Sequence, residues 1–226
     1  PNKDSQGLFT LIKTLKEVEL SETDYKEIVD YCKQKKIIFL CTPWDRKSVD
    51  FLESLGVEGY KIGSPDMTNI PLIEHILKTG KSIIISTGMS TEEEVEYTIN
   101  FLKKKNAKFV VLHCNSTYPS PMFNVNLRYM GKIREKYGVL IGYSGHERGA
   151  HIALAARALG ACVIEKHLTL DRSMKGPDHV SSLEPAEFKK MVSEIRDFES
   201  ALGTGMKVLT RGEIMVRETL SKGLYA

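Results

Sequence analysis

The chain alternates between short apolar runs and longer stretches with the spacing of amphipathic helices. Six apolar runs stand out: IIFLC at 37–41, YKI at 60–62, SIIIS at 82–86, FVVLHC at 109–114, VLIGYS at 139–144 and CVIEKH at 162–167. They recur about every 20 to 30 residues along the chain. Continuous apolar strands separated by helices are typical of a parallel sheet that helices cover. The pattern therefore predicts an α/β fold with about six βα units.

The polar residues at the strand ends help to decide between an open doubly wound sheet and a closed barrel. Nearly every predicted strand ends in polar side chains: Thr42, Lys61 with Ser64, Ser86, Ser116, Ser144 with His146, and Lys166 with His167. An open sheet concentrates its site at one switch point, whereas a barrel uses the ends of many strands. We therefore predict a TIM-type (β/α)8 barrel domain over residues 1–226, with about two further βα units expected before Pro1.

Capping signals predict where two of the helices begin. Ser21 with Asp24 resembles a capping box at the start of a helix that runs to about Lys35. Ser90 with Glu93 predicts a second capping box, after the SIIIS strand. Both helices then follow the predicted βα order.

Composition and charge limit the classes of partner that the protein is expected to have. The 226 residues carry a net charge of +3, and 42% of them are apolar, which argues for neither a nucleic-acid nor a membrane partner. No signal peptide and no apolar run long enough to span a bilayer is apparent. The cysteines Cys32, Cys41, Cys114 and Cys162 form no close pair. We expect them to be reduced and buried, in a cytoplasmic protein.

Hydroxyl groups at four strand ends indicate an anion site. These are Ser64, Ser86, Ser116 and Ser144, and Lys61 adds a cation. Together they suit a phosphate, or a phosphate with a carboxylate. The structural alternative is that each serine only caps the helix that follows it. Four serines on one rim, with a lysine, make that alternative weaker.

Two histidines end successive predicted strands. Because parallel strands bring their carboxyl ends to one rim, His146 and His167 are expected to share a ligand. Two imidazoles with carboxylate or water oxygens suit a divalent ion such as Mn²⁺, which would act as a Lewis acid on a carbonyl. His75, His113 and His151 are interpreted as structural, since two lie within helices and His113 is expected to face away from the rim.

Two lysines and a loop leave further possibilities open. Lys61 or Lys166 at a strand end could instead form a Schiff base with a carbonyl substrate. The stretch KGPDHVSSLEP at 175–185 is predicted to form a loop over the barrel mouth. In that loop Asp178 is either a hydrogen-bond acceptor for sugar hydroxyls or part of an Asx-turn.

Five stretches resemble one enzyme family. They are KIGSPDMTNIPLI, STGMSTEEE, HCNSTYPSP, GYSGHE and, most specifically, GACVIEKHLTLDRSMKGPDHVSSLEP. These motifs are similar to the sialic acid synthases, which include N-acetylneuraminate, legionaminate and pseudaminate synthases, and the resemblance extends over most of the chain. The resemblance implies a (β/α)8 barrel that condenses phosphoenolpyruvate with an N-acetylmannosamine-type sugar and releases phosphate. It also implies a divalent metal, Mn²⁺ first and Mg²⁺ or Co²⁺ as alternatives, and a homodimer.

The resemblance assigns roles position by position. It makes His146 and His167 the metal ligands and places Asp66 near the sugar and the reacting centre, where relatives often carry glutamate. Lys61, Ser64, Ser86, Ser116 and Ser144 match positions that bind phosphoenolpyruvate, with Asn115 beside them, and Tyr118 and Asp178 match positions that contact the sugar.

The same family also has parts that the motifs here do not cover. Its first two barrel strands carry a catalytic glutamate and a lysine for phosphoenolpyruvate, and a small antifreeze-like domain follows its barrel. We expect a chain without these parts to be nearly inactive alone. The alternatives are a lysine-dependent aldolase acting on a pyruvate-type substrate and a non-catalytic carbohydrate-binding barrel.

Overall fold

A five-stranded parallel sheet forms the centre of the computed structural model, which describes residues 16–223. The strands are β1 (Gly59–Ile62), β2 (Ser82–Ser86), β3 (Phe109–Cys114), β4 (Leu140–Gly145) and β5 (Ile164–Lys166). Each pairs in parallel with the next in the chain, so the spatial order is the chain order. A doubly wound sheet reverses its order at a switch point, whereas a barrel does not.

Helices alternate with the strands, as the sequence pattern predicts. The α-helices are α1 (Glu22–Lys35), α2 (Arg46–Ser54), α3 (Ile70–Leu77), α4 (Glu92–Lys104), α5 (Arg128–Tyr137), α6 (His151–Ala158), α7 (Pro185–Leu202) and α8 (Arg211–Leu220). Short 3-10 helices lie at Ser64–Asp66, Met122–Asn124 and His179–Ser181. No residue of α8 is buried, unlike the residues of the helices that cover the sheet.

The two faces of the sheet bury different side chains, because successive residues of a strand point to opposite faces. The outer face is apolar and packs with the helices in one core cluster, which includes Tyr60, Ile62, Ile83, Ile85, Val111, Ile141 and Tyr143. The strand register places Lys61, Ser86, Cys114, Ser144 and Glu165 on the opposite, inner face. The helices therefore hold the sheet from outside and leave the inner face polar near the strand ends.

A contact between the two edge strands shows that the sheet is curled. Lys61 lies on β1 and Glu165 on β5, yet the Lys61 Nζ is 3.7 Å from the Glu165 Oε2. In a flat sheet, four strand spacings would separate these positions by about 19 Å, which is beyond the reach of the two side chains. The inner face is therefore concave, and the five strands form part of a (β/α)8 barrel. The predicted fold class is confirmed.

The first predicted strand, IIFLC at 37–41, is not a strand in the structure. One backbone hydrogen bond, from Lys61 N to Cys41 O at 3.3 Å, joins it to β1. Ile37 and Ile38 are 63% and 59% exposed. The segment is apolar and lies beside the sheet edge, but it lacks the hydrogen-bond ladder that defines a strand. The described part of the barrel therefore has five strands rather than six.

One of the two predicted capping boxes is correct and the other is displaced. Ser21 and Asp24 cap α1, which ends at Lys35 as expected. For α4 the box is formed by Thr91 and Glu94 instead of Ser90 and Glu93. Three consecutive glutamates at 92–94 make the motif ambiguous by one residue.

The cysteines are unpaired as predicted, but only one is buried. Cys114 is buried, Cys32 and Cys41 are partly exposed, and Cys162 is exposed. Cys162 lies before β5, outside the sheet, so the prediction of four buried cysteines is wrong. Within residues 16–223, no helix has the length and apolar character needed to cross a bilayer.

Candidate active site

A chain of polar contacts crosses the inner face between four strands. The Lys61 Nζ donates to Ser86 Oγ at 2.7 Å and lies 3.7 Å from Glu165 Oε2. Ser144 Oγ donates to Glu165 Oε1 at 2.7 Å. Three of the predicted anion-binding residues, Lys61, Ser86 and Ser144, are therefore brought together inside the curled sheet.

Burial affects the charge of Lys61 in this network of polar contacts. It lowers the pKa of the Lys61 ammonium, while the nearby Glu165 carboxylate opposes that effect. The Lys61 side chain is 13% exposed and that of Glu165 is 41% exposed. Within the part of the chain that the structure describes, one carboxylate pairs with Lys61, at 3.7 Å, so the ammonium retains capacity to bind an incoming anion.

Glu165 is a site residue that the sequence analysis did not single out. It lies opposite Ser144 in the register of β4 and β5, so the two share a face. Because Glu165 and Lys166 follow the same apolar run, the sequence does not say which of them points inward. The spacing of two residues from Glu165 to His167 is the signal that could have identified it.

Two further serines converge on a glycine beside this chain. Gly88 N donates to Ser64 Oγ at 3.1 Å. A Cβ on Gly88 would lie 2.7 Å from Ser64 Oγ and 2.1 Å from Ser116 Oγ. The space above Gly88 is therefore lined by two hydroxyl groups from the ends of β1 and β3, and only glycine keeps it open.

The two predicted metal-binding histidines face each other. The ring centroids of His146 and His167 are 5.1 Å apart. His146 Nδ1 lies 2.7 Å from Asn115 O. Because a carbonyl oxygen only accepts, Nδ1 carries the proton and Nε2 is left with its lone pair. Sequence spacing alone correctly predicts that the two rings share one rim.

Both imidazoles are held in the neutral form. Burial lowers the pKa of His146, and the Asn115 carbonyl only partly opposes this. Burial also lowers the pKa of His167, with the neighbouring His146 as the next cause. Neutral imidazole is the form that ligates metals.

Tyr118 covers the histidine pair. Its ring lies 4.1 Å from that of His146 and 5.6 Å from that of His167, centroid to centroid. Burial raises the pKa of Tyr118 to about 12, so the phenol keeps its proton at neutral pH and can donate a hydrogen bond. The ring is 41% exposed, which leaves it accessible from the barrel mouth.

Asp178 and Asn115 border the same rim in different ways. Asp178 is exposed. Its charge adds to the rise that burial causes in the pKa of Tyr118, and it partly opposes the lowering that burial causes in the pKa of His167. Its backbone carbonyl accepts from Ser181 Oγ and Ser182 Oγ at 3.0 and 2.8 Å. The Asn115 side chain is instead held within its own loop, where Oδ1 accepts from Thr117 N at 3.1 Å. Asn115 contributes its carbonyl to His146 rather than a free side chain.

Asp66 is placed by its own local contacts. It is 8% exposed, and its Oδ1 accepts from Asn69 Nδ2 at 2.7 Å. The other carboxylate oxygen is buried and has no hydrogen-bond partner among residues 16–223. A buried oxygen without a partner is costly, so this oxygen is a candidate acceptor for a ligand.

A family model described as the NeuB family matches residues 2–207. The match spans all five strands and every candidate site residue named above. The chain belongs to the NeuB family.

Named relatives agree with this NeuB-family assignment. The N,N'-diacetyllegionaminic acid synthase of Campylobacter jejuni is 43% identical over 218 residues, which cover 95% of this chain and 65% of that protein. The N-acetylneuraminate-9-phosphate synthase of Homo sapiens is 39% identical over 210 residues, covering 92% and 58%. The chain thus spans less than two thirds of both relatives. The sialic acid synthase resemblance drawn from the motifs is confirmed.

A solved structure shares the fold of this NeuB-family chain. The crystal structure of N-acetylneuraminic acid synthetase from Leptospira borgpetersenii, in complex with citrate, matches with a TM-score of 0.80 and 36% identity. The match covers 91% of this chain and 73% of that one. It supports the barrel architecture derived above from strand order and curl.

The donor set of the NeuB-family site fits a divalent metal. His146 and His167 are adjacent. The Asn115 carbonyl orients His146, through the kind of outer hydrogen bond that metal-ligating histidines usually make. Among residues 16–223 no group of three or more His, Cys, Asp or Glu side chains could hold a metal. The sequence analysis expects carboxylate or water oxygens to complete the ligand set, and that expectation remains a prediction.

Lys166 does not lie where the sequence analysis put it. It precedes His167, but strand alternation turns it to the outer face, where its side chain is fully buried against Glu147. It therefore does not line the rim. His113 behaves as predicted: it faces outward, and its Nε2 lies 2.6 Å from Val125 O. His75 pairs with Asp50 at 2.7 Å.

Proposed function

We propose that the protein condenses phosphoenolpyruvate with an N-acetylmannosamine-type sugar to give a sialic-type acid and phosphate. The observation that carries this proposal is the convergence, on one concave rim, of an anion-binding group around Lys61 and a neutral histidine pair. Family membership and the names of the relatives support the reaction class.

The three-carbon anion would bind along the inner face. Lys61 supplies the cation, and the hydroxyls of Ser86 and Ser144 lie in the same hydrogen-bonded chain. The cradle at Gly88, with Ser64 and Ser116, offers further donors to phosphate oxygens. Glu165 holds Ser144 and Lys61 in place from the other side. Orienting two bound reactants in this way contributes up to roughly 7–11 kcal/mol to lowering the barrier.

His146 and His167 would hold the divalent metal, with Mn²⁺ as the first candidate. Such a metal would supply Lewis-acid polarisation of the sugar aldehyde. The enol carbon of phosphoenolpyruvate would attack the aldehyde carbon. Asn115 keeps the His146 lone pair directed away from the loop. Water adds to the resulting cation, and phosphate leaves.

The sugar would enter over Tyr118. Its protonated phenol donates a hydrogen bond, and the exposed Asp178 accepts hydrogen bonds from sugar hydroxyls. The unpaired oxygen of Asp66 is a further acceptor near the end of β1. The two relatives are named as synthases of different acids, N,N'-diacetyllegionaminic acid and N-acetylneuraminate 9-phosphate. A panel of acetamido sugars is therefore needed to identify the substrate.

The test is phosphate release by the full-length protein, with Mn²⁺, phosphoenolpyruvate and each sugar in turn. Lys61→Met should lower kcat/KM by at least 10²-fold, because it removes the cation from the anion site. Lys189→Met is the matched control, since Lys189 is exposed on α7. The proposal would be contradicted if no combination of sugar and metal gave product. It would also be contradicted if both variants lost kcat/KM equally.

A second candidate rests on the lowered pKa of Lys61. A desolvated lysine is a better nucleophile at neutral pH, as a Schiff-base aldolase requires. Borohydride treatment with pyruvate would trap an adduct on Lys61 if this candidate is right. No adduct, together with metal-dependent phosphate release, favours the synthase. The homodimer and the cytoplasmic location remain predictions.

A further inference from the structure

A completely buried ion pair lies behind the two histidines. Glu147 follows His146 and Lys166 precedes His167. The Lys166 Nζ is 3.1 Å from Glu147 Oε1, and both side chains are 0% exposed. Burying two charges costs desolvation free energy that an apolar pair would avoid, so such a pair is weak evidence for stability. Its position between the histidine-bearing segments points to a different role.

The pair joins those two segments at more than one atom. The Lys166 Nζ also donates to the backbone carbonyl of Glu147 at 2.6 Å. The second carboxylate oxygen of Glu147 accepts from Tyr143 OH at 2.6 Å. The backbone directly after His146 is therefore held by the side chain directly before His167, and Tyr143 ties the carboxylate to β4.

Gly145 makes room for this arrangement. It is the register partner of Lys166 across β4 and β5. A Cβ at Gly145 would lie 2.8 and 2.9 Å from the two carboxylate oxygens of Glu147 and 2.7 Å from the Tyr143 ring. Even one methyl group here would push Glu147 out of place. The glycine and the ion pair act as one unit.

We propose that Glu147 and Lys166 are positioning residues that fix the two imidazoles of His146 and His167 at their facing distance. The inference rests on the proposed function, in which these imidazoles hold a divalent metal. Neither side chain lines the inner face, because Lys166 points to the outer face of β5 and the Glu147 carboxylate contacts Lys166 and Tyr143 there. Their effect on the site passes through the backbone next to each histidine.

The first readout needs no metal. In full-length protein with isotope-labelled histidine, NMR detects the through-space contact between the ring protons of His146 and His167, here called the cross-ring contact. The single variants His146→Gln and His167→Gln assign its signals. Glu147→Gln, Lys166→Met and Gly145→Ala should each abolish that contact at a temperature where circular dichroism shows them folded. Ile141→Val, a core change on the same face of β4, should keep it.

The second readout is Mn²⁺ affinity, followed by the electron paramagnetic resonance signal of free Mn²⁺. The same three variants should bind Mn²⁺ about 10–100-fold more weakly, which is the usual cost of losing an outer partner of a metal ligand. Ile141→Val should bind as wild type does. His146→Gln with His167→Gln marks the level without the site.

The two readouts separate the possible failures. If folded Glu147→Gln, Lys166→Met and Gly145→Ala keep the cross-ring contact, the inference is overturned whatever their Mn²⁺ affinity. If wild type binds Mn²⁺ no better than the double histidine variant, the metal part of the proposed function fails. The positioning role is then still decided by the ring contact alone.

Discussion

The two faces of the same five strands carry opposite chemistry. On the outer face, Tyr60, Ile62, Ile83 and Ile85 are at most 1% exposed and pack with the helices. On the inner face, Lys61 and Ser86 at the strand ends are linked by hydrogen bonds. Strand alternation alone separates them, so adjacent residues of one strand serve stability and chemistry independently. Substitutions at neighbouring positions should therefore have effects that do not resemble each other.

The largest expected effect on stability is at Ile85, on the outer face of β2. Ile85→Ala removes a side chain that is 0% exposed, and we expect a loss of about 2–5 kcal/mol in the free energy of unfolding because a cavity remains. Its neighbour Ser86→Ala should cost less, about 1.5–3 kcal/mol, the value of one hydrogen bond to a charged group such as the Lys61 ammonium. Urea unfolding with a common m-value measures both.

The same pair should reverse its order in the assay. Ser86→Ala removes the partner of Lys61 and should lower kcat/KM, whereas folded Ile85→Ala should retain it. Equal activity losses in the two variants would mean that the faces are not independent, and that outer packing sets the geometry of the inner face.

The next largest effect, on the reaction rate, is expected at Gly88 on the rim of the sheet. Gly88→Ala places a methyl group 2.1 Å from Ser116 Oγ and 2.7 Å from Ser64 Oγ, so one serine must leave the cradle. Losing a positioned donor typically costs about 10²–10³-fold in rate, or roughly 2.7–4 kcal/mol. Phosphate-release kinetics measure this loss. Gly131→Ala on α5 is the control, because its Cβ would meet nothing within 4 Å. A Gly88→Ala enzyme with wild-type kinetics would rule out the cradle as an anion site.

The sequence predicts more of the fold than of the candidate site. Continuous apolar runs identify β1 to β5, and His146 and His167 meet as expected from strand ends alone. The errors have physical causes. The segment 37–41 is apolar without a ladder of hydrogen bonds, since composition does not encode pairing.

Side-chain direction is what the sequence leaves open at the site. Glu165 and Lys166 are adjacent, polar and at the end of one strand, and only the pairing of β5 with β4 decides which points inward. A shift of one residue exchanges the faces. The sequence therefore predicts Lys166 at the rim and does not identify Glu165.

A smaller effect on stability is expected when the pH is lowered, because of His113 on the outer face. Burial lowers the pKa of this histidine from 6.5, so below that pH the unfolded chain takes up a proton that the folded protein does not. Stability is then fully present above about pH 6.5 and falls as the pH drops, by at most about 1.4 kcal/mol per pH unit for one imidazole. His113→Asn should show a smaller dependence of stability on pH below 6.5, in metal-free buffer. Equal slopes for the two proteins would contradict the assignment.

The smallest effect is expected at the start of α4, which belongs to neither face. Thr91 Oγ1 accepts from Glu94 N at 3.3 Å, and Glu94 Oε2 accepts from Thr91 N at 2.7 Å. Thr91→Ala should cost about 1 kcal/mol of stability, as loss of an N-cap does, and leave kcat/KM unchanged. Ser90→Ala is the matched control, because the sequence predicted the cap there and the structure places it one residue later. A larger loss from Ser90→Ala than from Thr91→Ala in urea unfolding would restore the sequence-based register of this helix.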